Sequence, residues 1–314
     1  MKKIISVILC MAAVLTLCCS CGTKETKKDD GKLNVVTTIF PPYDFAKNVG
    51  GESVNVSMLL KPGMESHSYD PTPQDIIKIQ ECDLFIYTGG ESDEWVKDIL
   101  ESSDKKPKKV LAMMDIVDTV EEETVEGMEK EDEDDSDEIE YDEHVWTSPK
   151  NAINITASIT NALCQLDENH QASFNKNMMA YRRELLLLDN SFHEVTDNAK
   201  RKTIVFGDRF PFRYLADEYD LKYYAAFPGC SAETEPSPST VSFLIDKVKA
   251  EKIPVVFSIE FSNGKVADTI CESTGAKKLT LHSCHNVTQD EFDNGISYLS
   301  LMQKNVQALK EALN

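Results

Sequence analysis

Short apolar runs alternate with polar, helix-forming stretches along the chain after residue 32. Runs rich in β-branched and aromatic residues are typical of buried strands, and their alternation with helices is typical of parallel sheets. Helix starts are marked by a hydroxyl residue followed by proline at Thr72-Pro73 and Ser148-Pro149, and another helix is expected over 239–251. The pattern predicts two α/β lobes built on parallel-rich sheets. The predicted strands are KLNVVTT, SVNVSMLL and DLFIYTG in the first half, and KTIVF, LKYYAAF, IPVVFSI and KKLTL in the second.

Residues 168–200, between the two halves, carry one continuous helical pattern. Its apolar residues recur alternately four and three positions apart, which places them on one face. Such a stripe predicts either the seam of a coiled-coil dimer or a rigid backbone helix that joins both lobes of a monomer. Leu186 and Leu187 widen the apolar face and favour the backbone helix. The stripe consists of Phe174, Met178, Tyr181, Leu185, Leu188, Phe192 and Val195.

The first 32 residues are typical of an exported lipoprotein. Lys2 and Lys3 precede an apolar run that is short for a membrane span. Cys21, with a small residue before it and glycine after it, fits a lipidation site, although an ordinary cleaved signal would also carry such a run. We expect a signal peptide over 1–20, a lipid on Cys21 and a polar tether over 21–32. The further boundaries are 33–165 for the N-terminal lobe, 166–200 for the linking helix and 201–314 for the C-terminal lobe.

The charge balance narrows the choice of partners. The 314 residues include 54 acids and 33 bases, for a net charge of −21, which argues against nucleic acid and anionic membrane surfaces. Much of the acid lies in a loop over 121–143, just before His144. This loop is either a solvated insertion or an antenna that concentrates divalent cations near the histidine. Five cysteines follow the leader, an odd and scattered set that predicts at most one disulfide: Cys82, Cys164, Cys230, Cys271 and Cys284.

Candidate metal ligands follow the predicted strands. The chain has no zinc-protease, nucleophile-elbow, phosphate-loop or dinucleotide motif, which lowers the expectation of an enzyme. His67 and His144 each lie in a loop just before a capped helix. Asp208, Glu260 and His282 each follow a predicted strand. Because ligands bind at the carboxyl ends of parallel strands, this shared placement predicts a metal site at that edge of the sheets.

Three segments, HSYDPTPQD, DEHVWTSP and ETEPSPSTV, resemble motifs of the solute-binding lipoproteins of zinc/manganese ABC importers. The resemblance covers residue 32 to the C-terminus. It implies two α/β lobes joined by a long helix, with a metal held by two histidines of the N-terminal lobe and two ligands of the C-terminal lobe. His67 and His144 match the first two ligands.

The third position departs from the family pattern, because Arg209 stands where a His or Glu is usual. Arginine stays protonated and does not ligate a cation, so we take the neighbouring Asp208 as the third ligand. The fourth position falls on His282, with His285 as a weaker neighbour and Glu260 as an acid beside the site or an alternative ligand.

Three imidazoles and a carboxylate suit Zn²⁺ better than Mn²⁺. Four protein ligands leave no open position for an activated water, which favours carriage over catalysis. The resemblance therefore implies an extracytoplasmic lipoprotein that captures Zn²⁺ and delivers it to an ABC importer permease. The alternatives are a Mn²⁺ carrier, an adhesin or interaction lipoprotein pinned by metal, and a zinc hydrolase with Glu260 as its base.

Overall fold

The computed structural model describes residues 31–65, 69–129, 140–231 and 235–314. Eight strands lie within these ranges: β1 (Leu33–Thr37), β2 (Val54–Met58), β3 (Leu84–Tyr87), β4 (Lys109–Ala112), β5 (Thr203–Phe206), β6 (Lys222–Tyr224), β7 (Val255–Ser258) and β8 (Lys277–Thr280). They form two four-stranded parallel sheets, in the orders β2-β1-β3-β4 and β6-β5-β7-β8. The prediction of two parallel α/β lobes is confirmed, and β4 is a strand that the sequence pattern did not predict.

The order of the strands reverses beside the first strand of each sheet. The chain passes from β1 to a neighbour on one side and then crosses to β3 on the other side, and β5 to β7 repeats this arrangement. Such switch points leave a crevice at the carboxyl ends of the two central strands. Thr38 and Thr88 follow β1 and β3 in the N-terminal lobe, and Asp208 and Glu260 follow β5 and β7 in the C-terminal lobe.

The helix starts that the sequence predicts are present. Thr72 accepts a hydrogen bond from the Asp75 amide, and the Asp75 carboxylate accepts one from the Thr72 amide, which forms a capping box. Ser148 accepts from the amide of Asn151. The helices are α1 (Phe40–Gly50), α2 (Pro73–Glu81), α3 (Trp95–Ser102), α4 (Pro149–Leu166), α5 (Gln171–Asp197), α6 (Arg213–Glu218), α7 (Pro238–Glu251), α8 (Lys265–Thr274), α9 (Gln289–Asp293) and α10 (Tyr298–Leu313).

Helix α5 is the linking helix. Its 27 residues extend about 40 Å at 1.5 Å per residue, and every member of the predicted apolar stripe is buried. Near its start, Asn177 donates to the carbonyl of Val49 in the N-terminal lobe. Near its end, the Phe192 ring stacks on Tyr219 of the C-terminal lobe at 5.1 Å. The stripe is therefore used within one chain, as the backbone-helix interpretation requires.

The C-terminal helix α10 returns to the N-terminal lobe. The buried carboxylate of Asp44 on α1 accepts one hydrogen bond from the Tyr181 hydroxyl on α5 and one from the Tyr298 amide on α10, at 3.2 and 3.1 Å. Burial raises the pKa of Asp44 to about 6, against the lowering effect of these hydrogen bonds. Three helices thus meet on one carboxylate, and the C-terminal segment contacts both lobes.

No helix in the described ranges has the length and apolar character needed to cross a bilayer. The expected leader and Cys21 lie outside these ranges. The five cysteines that follow the leader are all free thiols in the described structure, so the single disulfide that the sequence left open does not form there.

Candidate metal centre

His144 forms the N-terminal wall of the centre and is fully buried. Asp142 lies two residues earlier, and its Oδ1 accepts from the His144 backbone amide at 2.8 Å and lies 3.0 Å from His144 Nδ1. The Tyr214 hydroxyl of the C-terminal lobe donates to the Asp142 carbonyl at 2.7 Å and holds this segment across the cleft. With Nδ1 facing a carboxylate, Nε2 is the ring nitrogen suited to a metal.

Acids around His144 set its electrostatics. Burial by itself would lower the pKa of His144, but the carboxylates of Asp142, Glu143 and Glu122 outweigh that effect and raise it. Burial also raises the pKa of Asp93 to about 7, with a further contribution from Glu143. The centre is therefore lined with groups that favour a bound cation.

His285 forms the opposite wall. Its ring meets His144 edge to face, with centroids 4.6 Å apart and an interplanar angle of 80°, and it lies 4.7 Å from the Trp146 ring. The Trp146 indole N–H donates to the Ser283 carbonyl at 2.7 Å, and the Phe40 amide donates to the His285 carbonyl at 3.1 Å. The segment that carries His285 is thus bonded directly to the N-terminal lobe.

His282, the expected fourth ligand, has a different set of contacts. Its Nδ1 accepts from the Cys284 amide at 2.9 Å and lies 3.5 Å from a Glu260 carboxylate oxygen. Asn305 bonds both its backbone amide and its carbonyl. The structure therefore brings His285, which the sequence ranked second, to His144. The reason is Cys284, whose positive φ of 65° turns the chain between the two histidines.

Asp208, the expected third ligand, is bonded within the C-terminal lobe. Its carboxylate oxygens accept from the amides of Arg209 and Ile259 at 3.0 and 3.3 Å, and burial raises its pKa. The Arg209 guanidinium instead enters the cleft, where it donates to the Ser231 carbonyl at 3.0 Å and to the Glu65 carboxylate of the N-terminal lobe at 3.1 Å. The position that the resemblance assigns to the third ligand thus carries an ion pair between the lobes.

Two small cavities of about 20 Å³ each lie beside His285, which lines both. Glu260 and Arg209 also line the first, whereas Asp93 and Glu143 also line the second. Gly229 lines the first as well, and a Cβ there would lie 3.2 Å from the His144 ring, so the absence of a side chain lets the ring pack.

His67 lies outside the described residues. The nearest described residues before and after it, Glu65 and Tyr69, line the first and the second cavity respectively. The loop that carries His67 therefore leaves and rejoins the described structure at the centre. Its role as a ligand stays a prediction.

The acidic loop also reaches the C-terminal lobe. Its described first part, 121–129, is held there by both backbone and carboxylate contacts. Glu126 pairs with Lys247 at 3.1 Å, and the Glu129 amide donates to the Ala226 carbonyl at 3.0 Å. The Met128 side chain is buried. Residues 121–129 thus bind basic and amide groups of the same chain. The sequence suggested either a solvated insertion or an antenna for cations, and neither interpretation included such contacts.

Within the described ranges, one group of side chains of the kinds that bind metals lies close together. It consists of Asp189, His193 and Glu218, whose possible ligand atoms lie within 4.8 Å of one another. The Lys150 ammonium bonds Glu218, and the Tyr219 hydroxyl donates to Asp189, so protein groups already satisfy these acids. The group lies on α5 and α6 and includes none of the predicted ligands.

The chain has two parallel α/β lobes joined by one long helix, and a histidine from each lobe lies where the lobes meet. This arrangement is typical of the solute-binding proteins that bind metal ions. The sequence profile described as ZnuA, zinc-uptake complex component A, periplasmic, matches residues 35–312. This chain belongs to that family.

Two curated relatives span nearly all of the chain. The zinc-binding lipoprotein AdcA of Streptococcus pneumoniae serotype 4 is 34% identical over 311 residues, which cover 99% of this chain and 61% of AdcA. This chain thus spans about three fifths of the length of AdcA. The high-affinity zinc uptake system protein ZnuA of Bacillus subtilis is 32% identical over 308 residues, 96% of each chain. The crystal structure of the Zn(II)-bound ZnuA-like domain of S. pneumoniae AdcA superposes with a TM-score of 0.75 at 32% identity, over 90% of this chain and 99% of that domain.

Proposed function

We propose that this protein captures Zn²⁺ outside the cytoplasm and delivers it to the permease of an ABC importer. The observation that carries the proposal is the edge-to-face pair of His144 and His285, one from each lobe, in which His285 also lines two cavities. Imidazole nitrogens are preferred ligands of Zn²⁺, and the neighbouring carboxylates balance its charge. Family membership and the zinc-binding names of the relatives support zinc over manganese.

The ligand set that we propose is His67 and His144 from the N-terminal lobe with His285 from the C-terminal lobe. His285 takes the place that the sequence assigned to His282, because it is the one that contacts His144. Asp208 keeps a structural role, since both carboxylate oxygens accept from backbone amides. Three neutral imidazoles leave the fourth position of a tetrahedral zinc to water or to a carboxylate of the cleft.

A substrate-binding role fits a protein held at the membrane surface. We propose that Cys21 is lipidated after cleavage and that the segment behind it tethers the two lobes beside the permease. The intact mass of the mature protein purified from membranes tests this. A mass that begins at a residue other than Cys21, or that lacks the acyl chains, rejects the anchor but leaves the zinc proposal standing.

Zinc content and affinity test the centre itself. The purified protein should hold one Zn²⁺ per chain, and His144→Ala and His285→Ala should each weaken binding at least a hundredfold in competition with a chromophoric chelator. His282→Ala and Asp208→Ala should keep affinity within about threefold. His170→Ala, at the exposed start of the linking helix, is the matched control. Loss of zinc in the His282 variant but not in the His285 variant would reverse the assignment.

A further inference from the structure

Glu260, Ser283 and His285 form a hydrogen-bonded chain on the C-terminal wall of the centre. The Ser283 hydroxyl donates to one carboxylate oxygen of Glu260, and the Ser283 amide donates to the other at 2.7 Å. The same hydroxyl oxygen lies 3.4 Å from His285 Nδ1 and accepts from the His285 amide at 3.3 Å. Ser283 is 1% exposed, so its polar groups depend on these partners.

Counting protons along this chain determines the form of His285. A serine hydroxyl has one hydrogen and two lone pairs. Because the carboxylate of Glu260 takes the hydrogen, the oxygen is left only as an acceptor towards His285. The proton of a neutral His285 ring therefore lies on Nδ1, and Nε2 keeps the lone pair that a metal ion needs.

His282 has the opposite arrangement three residues away. Its Nδ1 accepts from the Cys284 amide, so the proton of its neutral ring lies on Nε2. The left-handed backbone of Cys284 makes both contacts possible, because it directs its own amide back to His282 while the chain brings His285 to Ser283. The turn at Cys284 thus leaves Nε2 of His285 available for a metal, whereas Nδ1 of His282 is hydrogen-bonded to the backbone.

We infer that Glu260 is a positioning residue that acts through the Ser283 hydroxyl to hold His285 in its Nε2-ligating tautomer. The consequence for zinc rests on the proposed function, whereas the tautomer is a property of the metal-free protein. Asp142 contacts His144 Nδ1 in the same way from the N-terminal lobe. Each lobe therefore has one histidine whose Nδ1 faces an oxygen acceptor.

Ser283→Ala removes the hydroxyl and leaves the backbone bonds of residue 283 to Glu260 and Trp146 in place. In the zinc-free protein at about pH 8, two-bond proton–nitrogen correlation spectra should show a single Nδ1–H tautomer of His285 in the wild type and a mixture in this variant. Zinc affinity should fall about tenfold. Ser283→Thr keeps a hydroxyl and should restore both properties, and Ser173→Ala, which removes a hydroxyl on the linking helix, should change neither.

Glu260→Gln should shift the tautomer in the same direction. It should add nothing further when combined with Ser283→Ala, because the two residues act as one path. An unchanged tautomer in Ser283→Ala, or a full additional loss of affinity from Glu260→Gln in that background, would overturn the inference. If the wild-type protein binds no zinc, the proposed function fails, and the tautomer spectra still decide the role of Ser283 and Glu260.

Discussion

Replacing Asp44 with asparagine should stabilise the protein at neutral pH. The pKa of Asp44 rises from 3.8 to about 6 in the folded protein because of burial. Since one pKa unit corresponds to about 1.4 kcal/mol, ionised Asp44 costs the fold about 3 kcal/mol. The two donors from Tyr181 and Tyr298 point at the same carboxylate oxygen. The amide oxygen of asparagine can accept both, so the variant keeps these bonds and loses the buried charge.

The sign of the pH dependence follows from the raised pKa. Between about pH 4 and pH 6 the folded protein binds a proton at Asp44 that the unfolded chain releases, so this contribution to stability falls as pH rises. Above about pH 6 the penalty is constant. The free energy of unfolding of Asp44→Asn minus that of the wild type should therefore grow by about 3 kcal/mol from pH 4 to pH 7.

Urea unfolding followed by tryptophan fluorescence at several pH values measures this difference. Asp98→Asn, which alters an exposed aspartate of α3, is the control and should give a flat profile. A flat profile for Asp44→Asn as well, or a variant that is less stable than the wild type at pH 7, would refute the assignment of a buried, costly charge to Asp44.

Other perturbations address the centre and the cleft. Gly229→Ala places a Cβ 3.2 Å from the His144 ring, so zinc should dissociate faster in stopped-flow chelator assays, and an unchanged rate would show that the ring can shift freely. Deleting 130–139 should slow zinc capture at low ionic strength but keep equilibrium affinity within about twofold, since salt screens such long-range attraction. Deleting 121–129 should instead lower the melting temperature, because this segment packs on the C-terminal lobe. If both deletions had the same effect, the two parts of the acidic loop would not have the separate roles proposed for them. Arg209→Gln should cost about 1 kcal/mol in urea unfolding, because it removes an ion pair between the lobes whose Glu65 carboxylate is solvent-exposed. A loss of zinc binding would show a direct role of Arg209 at the metal.

Most of the fold could be read from local patterns. Short runs rich in apolar residues mark seven strands, and the hydroxyl–proline pairs at residues 72–73 and 148–149 begin helices as predicted. The apolar stripe identifies α5 because its alternate spacing of four and three residues persists from Phe174 to Val195, over most of the 27-residue helix. Strand β4 was not predicted, although β8, which was, has the same length, also begins with a lysine and is more exposed.

The sequence ranks His282 above His285 as a ligand, and the contacts that favour the opposite order join distant residues. Counting from the end of β8 favours His282, and only the left-handed turn at Cys284 brings His285 round to His144. Such a backbone conformation is rare for a residue other than glycine, and no local pattern signals it. In the same way, an acidic run reads as solvated until its partner Lys247, 121 residues after Glu126, is known.

The contacts across the cleft bear on how metal enters and leaves. Asn286, directly after His285, donates from its side-chain amide to the carbonyls of Lys61 and Met64 in the N-terminal lobe, at 2.7 and 2.9 Å. The Tyr298 hydroxyl likewise donates to the Trp146 carbonyl of the N-terminal lobe, at 2.6 Å. Wide separation of the lobes would break these buried bonds together, at a net cost of about 0.5–1.5 kcal/mol for each bond once water replaces the partner. A local movement of a loop beside the histidine pair breaks far fewer bonds. On the proposed function, exchange of the ion through a local loop movement is therefore less costly than separation of the lobes, because it leaves these bonds in place.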